Sequence, residues 1–337
     1  MELLELARQP EGRAWPTDEW ASADPPSGVD GVELERLTSG VTAEQPADMG
    51  TTLALLVVHE GRIVAESYAS GVDRHTELIS WSMAKSMLQI VLGFAVLDGR
   101  LALSDVVERP EWSDGAAPIT VEHLLTMRSG LQWSEDYLDD QVSDVIEMLF
   151  GSGSADMAAY AANTGVAAAP DSEFVYSSGT TNILSALLNQ RLDGEDVASH
   201  LQRRLFDPLG MTSARPTLDE AGTWVASSYV HATARDFARC GLLMARDGVW
   251  DGQRLLPEGW VDLARTTRSI DPSGMEGYGH HWWTLRDELG SFCASGYEGQ
   301  RIVVVPANDL VIVRLGKTPA DLGDAWKLHL DELARLF

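Results

Sequence analysis

Lysine is nearly missing from this chain of 337 residues: only Lys85, Lys317 and Lys327 occur, and every other strong base is arginine. Lys+Arg total 25 against 51 Asp+Glu, a net charge of −26, so no basic patch is available to neutralise phosphates and a nucleic-acid partner is not expected. Two explanations of the acid excess stay open: a GC-rich genome that favours arginine codons, or a surface adapted to high salt. Only two cysteines, Cys240 and Cys293, are present. They cannot form a disulfide framework, show no metal-ligand spacing, and read as buried small hydrophobes. No apolar run approaches ~18 residues, so no membrane span is expected. The first residues lack a basic stretch followed by an apolar one, which makes the cytoplasm the simplest expected location. Also missing are Gly-x-Ser-x-Gly, His-Glu-x-x-His, and a Gly-x-Gly-x-x-Gly after a strand. His280-His281 are adjacent and would point apart on a strand, so neither a metal nor another cofactor is expected.

What is present reads as an ordinary globular chain, 45% hydrophobic and 23% charged. Residues 1–50, rich in Pro, Gly, Asp and Glu, read as a wrapping arm with one short helix near Val32–Leu37. Thr52–Val58 and Ile63–Tyr68 flank a short turn at His59-Glu60-Gly61-Arg62 and predict a hairpin. Ser82–Leu97 is apolar nearly all round, the mark of a buried helix, with Gly99 as its terminator. From about residue 104 to 240 the pattern is mostly helical, with Val121–Met127, Val142–Phe150, Thr181–Arg191, Val197–Leu205 and Ala234–Ala245 as segments. After Gly277 short strands return at Trp282–Arg286, Ser291–Ser295, Arg301–Val305 and Leu310–Arg314. Leu322–Phe337 places Trp326, Leu330, Leu333 and Phe337 at helical spacing, so that this tail packs on the sheet.

The expected fold class is therefore α/β (α+β): an antiparallel sheet formed from both termini, flanked by helices, with an inserted mainly helical domain. The boundaries are 1–103 and 232–337 for the discontinuous sheet domain and 104–231 for the helical one, with the active site between them.

Three short motifs carry chemistry. Within the buried helix stands Ser82-Met83-Ala84-Lys85, whose i, i+3 spacing places a hydroxyl and an amine on one face. Burial disfavours the charged lysine, which fits Lys85 to accept the Ser82 proton, and a helix start offers free backbone N–H groups, that of Ser82 included. The plainer alternative is a lysine snorkelling from a helix end. Tyr176-Ser177-Ser178-Gly179 leads into a helical run, where a tyrosine can aim its hydroxyl at another element; a cationic Lys85 would stabilise a Tyr176 phenolate as base. Ala294-Ser295-Gly296-Tyr297-Glu298-Gly299-Gln300 lies between two strands. Its glycines permit close substrate approach, and the Tyr297 N–H is a candidate second oxyanion donor.

These three motifs, in this order, resemble the serine β-lactamase and penicillin-binding-protein superfamily. The resemblance covers most of the chain from about residue 50. ITVEHLLTMRSGLQW (119–133), LFDPLGMTSA (205–214) and ATARDFARCGLLMARDG (232–248) are similar to its class C-like and esterase-like branch. The arm WPTDEWASADPPSGVD (15–30), Tyr-Ser-Ser and the ending Gly-Tyr-Glu-Gly-Gln resemble the 6-aminohexanoate-dimer hydrolases. The resemblance implies Ser82 as nucleophile, Lys85 as its partner, Tyr176 as proton shuttle, and a Ser82 acyl-enzyme formed on a small amide or ester.

Two departures bear on substrate. β-Lactamases typically carry Lys-Thr-Gly where this chain has Ala294-Ser295-Gly296, so the cation that helps bind the drug's carboxylate is missing. Ser178 stands where the class C pattern has Asn. Both favour a small-molecule amidase or esterase; β-lactamase or D-Ala-D-Ala peptidase activity, and a non-catalytic ligand-binding protein on the same scaffold, are the alternatives. Residue-by-residue carry-over adds Tyr137, His231 and Trp283 to Ser178, Ser295 and Gly296 as expected substrate-binding positions. The acidic stretch at Glu135-Asp136, Asp139-Asp140 and Asp144 reads first as a solvated face, although it would not repel a cationic substrate.

Overall fold

The structure is a computed structural model that describes residues 3–112, 118–137 and 143–337. Its centre is one antiparallel sheet of eight strands. In spatial order these are Arg62–Tyr68, Thr51–His59, Leu310–Lys317, Gln300–Val305, Phe292–Gly296, Trp283–Thr284, Gly277–Tyr278 and Ser269–Ile270. The expected hairpin forms, with Ala54 opposite Tyr68 and His59 opposite Arg62. Its first strand then pairs with Leu310–Lys317, Thr51 opposite Lys317 and His59 opposite Leu310, so the sheet is assembled from both ends of the chain.

Both faces of this sheet are covered, which explains its continuous apolar runs. Side chains alternate along a strand with a period of two. Leu56, Val58, Ile302, Val304, Val311 and Val313 face the larger core, with the Met83–Leu97 and Ala234–Ala245 helices. Leu55, Val57, Val303, Val305 and Ile312 face the opposite layer, with Leu34, Leu37 and Val41 from the arm and Trp326, Leu330 and Leu333 from the Ala325–Arg335 helix. The tail thus packs on the sheet as its periodicity predicts. The helix over the larger core sits close to the strands because of Gly241: a Cβ there would stand 2.5 Å from Val311 Cγ1 and 2.7 Å from Ile302 Cγ2.

Several expected boundaries differ. The arm holds more than one short helix, since Gly31–Glu35, a π-helical Arg36–Gly40 and Val41–Glu44 run on from one another, started by an Asp30 cap. The Val197–Leu205 segment is α-helical only to Leu201 and continues as a π-helical turn over Gln202–Phe206. The Trp282–Arg286 strand contracts to Trp283–Thr284, because Arg286 has a positive φ of 58°. His280-His281 lie in a bend rather than on a strand, with His281 at φ 55°. Residue 142 and the pair Asp139-Asp140 lie outside the described residues.

A small three-stranded sheet joins Leu78–Ile79, Val230–Ala232 and Arg215–Pro216. It pins the segment just before Ser82: Ser80 N donates to Val230 O at 2.8 Å, and the Ser80 hydroxyl donates to Ser228 O at 3.2 Å. The Ser178–Gln190 helix, capped by the Ser177 hydroxyl, packs beside the Met83–Leu97 helix.

Candidate active site

Ser82 is the N-cap of the Met83–Leu97 helix, and every residue from Met83 to Ala95 is buried. One helical turn on, Lys85 is 1% exposed and has three partners: Ser82 Oγ at 2.9 Å, Ser178 Oγ at 2.9 Å and Ser227 O at 2.8 Å. All three are neutral groups. Burial pulls the Lys85 ammonium down to about 8, with the nearby Glu135 carboxylate opposing that fall. A buried lysine with neutral partners exchanges its proton within the physiological range, which a solvated lysine does not.

Tyr176 leads into the Ser178–Gln190 helix two residues ahead of it, with its phenol near enough to the Ser82 hydroxyl to be influenced by it. Its ring packs 5.4 Å from that of Trp283 and edge-on to Tyr278 at 5.8 Å, while Lys85 Nζ stands 5.0 Å above it. Burial pushes the phenol up and Glu135 pushes it further, against the opposing influence of the Ser82 hydroxyl and the charge of Arg301. These influences favour the neutral phenol, which can both donate and accept a proton.

The third motif closes the group from the sheet side. Gly296 ends the Phe292–Gly296 strand, opposite Gln300, and runs directly against the backbone before Ser82: a Cβ on Gly296 would be 2.3 Å from Ser80 O. Only glycine permits that approach. Tyr297 follows in a single 3-10 turn, its ring stacked on Tyr137 at 4.9 Å. Trp283, Ser295, Gly296 and Tyr297 also line a groove of about 350 Å³ that extends to Glu276, Arg301 and Lys327. Ala294, where the resemblance leads one to look for lysine, is buried in the strand.

The structure therefore brings together Ser82, Lys85, Tyr176, Ser178, Tyr137, Trp283, Ser295, Gly296 and Tyr297. His231 stands apart: it pairs with Ile79 and Arg215 in the small sheet, and among the described residues no hydrogen bond or ring contact joins its side chain to this group.

One charged member of the site is not evident from the sequence. Glu135, expected on a solvated face, is half-buried and accepts hydrogen bonds from Ser178 N at 2.9 Å, Ser178 Oγ at 2.6 Å, Tyr137 OH at 2.8 Å and the Trp133 indole. It caps a helix N-terminus, where a carboxylate is favoured by the free N–H groups and the helix dipole. Beneath Lys85, His281 is fully buried; its Nδ1 lies 2.8 Å from Leu125 O and its Nε2 3.0 Å from Thr181 Oγ1, so Nδ1 carries the proton. Burial pushes His281 down to about 3, and the charge of Lys85 adds to that. It is a neutral structural imidazole.

A family model described as Beta-lactamase matches residues 44–332. The chain belongs to the beta-lactamase family. Its fold and its relatives make it a serine hydrolase of that family. It is 29% identical to a 6-aminohexanoate-dimer hydrolase of Paenarthrobacter ureafaciens over 351 aligned positions, covering 91% of this chain and 84% of the relative. Among solved structures, EstCE1, a hydrolase with promiscuous acyltransferase activity, superposes with a TM-score of 0.71 at 18% identity, covering 90% of this chain and 98% of the other. A D-stereospecific amidohydrolase from Streptomyces sp. gives a TM-score of 0.68 at 17% identity, covering 90% and 98%. At these identities the two structures speak for the fold. Among the described residues, no group of three or more His, Cys, Asp or Glu is placed to hold a metal ion, and no helix is long and apolar enough to cross a membrane.

Proposed function

We propose that the protein is an amidase or esterase for small molecules, comparable in reaction to a 6-aminohexanoate-dimer hydrolase, with Ser82 as its nucleophile. The observation that carries this reading is the 2.9 Å contact between Ser82 Oγ and a buried Lys85 whose partners are all neutral. The Ser82 hydroxyl proton passes to neutral Lys85 while Oγ bonds to the substrate carbonyl carbon. The Ser82 and Tyr297 N–H groups receive the oxyanion. As the C–N or C–O bond breaks, the leaving amine or alkoxide takes a proton from the Tyr176 phenol, which regains one from Lys85. Water then enters, gives a proton back through the same relay, and releases the acid with Ser82 restored. The reaction takes place in the cleft between the sheet unit (1–103 and 232–337) and the helical unit (104–231).

The missing cation at Ala294 favours esters and linear amides over β-lactams, whose carboxylate would find no lysine on that strand. Two measurements test the reading. Ser82→Ala removes ester and amide hydrolysis if Ser82 is the nucleophile. An active-site-directed fluorophosphonate, read by mass spectrometry, labels Ser82 in the native chain. Near-native turnover by Ser82→Ala, or an unlabelled Ser82, overturns it.

A further inference from the structure

The two backbone donors assigned to the oxyanion belong to segments far apart in sequence, and each is flanked by a residue in an unusual conformation. Trp81, immediately before Ser82, has φ 44°; Glu298, immediately after Tyr297, has φ 60°. Both lie in the left-handed region, where a side chain larger than glycine is strained and persists only when its surroundings hold it. The two strained residues are joined to each other: Trp81 Nε1 donates to Glu298 Oε2 at 3.3 Å. The Trp81 ring is also wedged between two tyrosines, meeting Tyr297 edge-on at 5.7 Å and Tyr229 at 5.8 Å.

The turn is anchored from behind as well. Thr318 N donates to Glu298 O at 3.0 Å, and the Gln300 amide donates to Tyr297 O at 2.9 Å. Gly299 O accepts from the buried Arg314 guanidinium at 2.8 Å. On the other side, Ser80 is tied to the small sheet, and Gly296 abuts it without room for a Cβ.

We propose that Trp81 and Glu298 are a positioning pair that sets the distance and orientation between the Ser82 and Tyr297 N–H groups. The proposal rests on the oxyanion assignment above and goes beyond it. Neither side chain touches the reacting atoms. Their bond crosses the gap between the two segments and locks both strained backbones at once. An oxyanion donor contributes most when it is fixed before charge develops, so slackening this bridge lowers the acylation rate while leaving substrate affinity unchanged. The acceptor oxygen of Glu298, rather than its negative charge, performs this task.

The experiment is single-turnover acylation by p-nitrophenyl acetate, with inhibition by phenylboronic acid, in the full chain and in Glu298→Ala, Glu298→Gln, Trp81→Phe and the Trp81→Phe/Glu298→Ala pair. Glu298→Ala lowers the saturating acylation rate about tenfold, with half-saturation changed less than about twofold. Its boronate inhibition constant rises in proportion to the lost rate. Glu298→Gln, which keeps an acceptor for the indole, retains at least about half the native rate. The double variant is no slower than Glu298→Ala, because both changes remove one bond. The proposal is overturned if Glu298→Gln falls as far as Glu298→Ala, if the double variant is additive, or if Glu298→Ala acylates at the native rate while Ser82→Ala is dead. Activity in Ser82→Ala would instead overturn the nucleophile assignment.

Discussion

Glu135 grips Ser178 twice, accepting from its backbone N–H at 2.9 Å and from its hydroxyl at 2.6 Å. The same hydroxyl lies 2.9 Å from Lys85 Nζ, so the carboxylate is one side chain removed from the lysine it helps keep charged. This relationship bears on the pH dependence of the enzyme.

The proposed mechanism uses neutral Lys85 as base, so it predicts that kcat/KM rises with pH along a limb centred near about 8. Removing the Glu135 charge removes an interaction that favours the ammonium. In Glu135→Gln the limb therefore moves to lower pH, and the fraction of active enzyme at neutral pH increases. The glutamine oxygen still accepts from Ser178, so the geometry is largely kept. Ester hydrolysis followed from about pH 6 to about pH 10 measures the limb; a shift to higher pH contradicts the assignment of Lys85 as base. Stability follows the same group: its folded pKa is depressed below the unfolded value, so unfolding free energy rises with pH between about 8 and about 10.5.

Lys85→Arg is inactive. Arginine preserves charge but stays protonated throughout the accessible pH range and has a planar head too wide for the three contacts of the ammonium. We expect kcat/KM to fall by at least about 10³-fold. A fluorophosphonate labelling rate, measured beside a thermal melt, separates lost chemistry from lost folding.

Purified protein turns over short-chain esters faster than a chromogenic cephalosporin. The strand position at Ala294 supplies no cation, and the nearest arginine on the neighbouring strand, Arg301, is already engaged with Glu276 at 2.9 Å. Introducing lysine by Ala294→Lys does not rescue β-lactam turnover, since Ala294 is fully buried among Met83–Leu97 helix residues, where a lysine would overfill the core. Steady-state rates on the two substrates provide the check.

Gly241→Val lowers thermal stability without touching the site. The new methyl groups would meet Val311 and Ile302 well inside contact distance. Overfilling of this kind costs about 1–3 kcal/mol, read as a lower Tm with kcat unchanged at moderate temperature.

Some of this was legible in the chain and some was not, for reasons of distance. Ser82 and Lys85 were visible because their partnership is local: one turn of a helix that is apolar on every side and so has no solvent face to offer a lysine. The sheet was visible in its β-branched runs, although burial of both faces erased the alternation that would have told Leu55 from Leu56. Glu135 was hidden because its partner Ser178 is 43 residues away and it stands in an acidic stretch that reads as a solvated face. The bond from Trp81 to Glu298 spans 217 residues and depends on two backbone angles that no residue type announces. His231 stands in the small sheet, paired with Ile79 three residues before Ser82, a neighbourhood that its place in the chain does not announce.

The pairing of Thr51–His59 with Leu310–Lys317 governs the order in which the molecule comes into being. The early strand waits for a neighbour made about 250 residues later, roughly 10–50 s of synthesis at ~5–20 residues per second. Throughout that interval the hairpin presents an unpaired edge, an invitation to wrong partners that a chaperone or the ribosome surface must shield. The turn carrying Tyr297 emerges only shortly before that last strand. A nascent chain with Ser82 already helical but Tyr297 not yet made thus lacks the second N–H donor of the proposed oxyanion pocket.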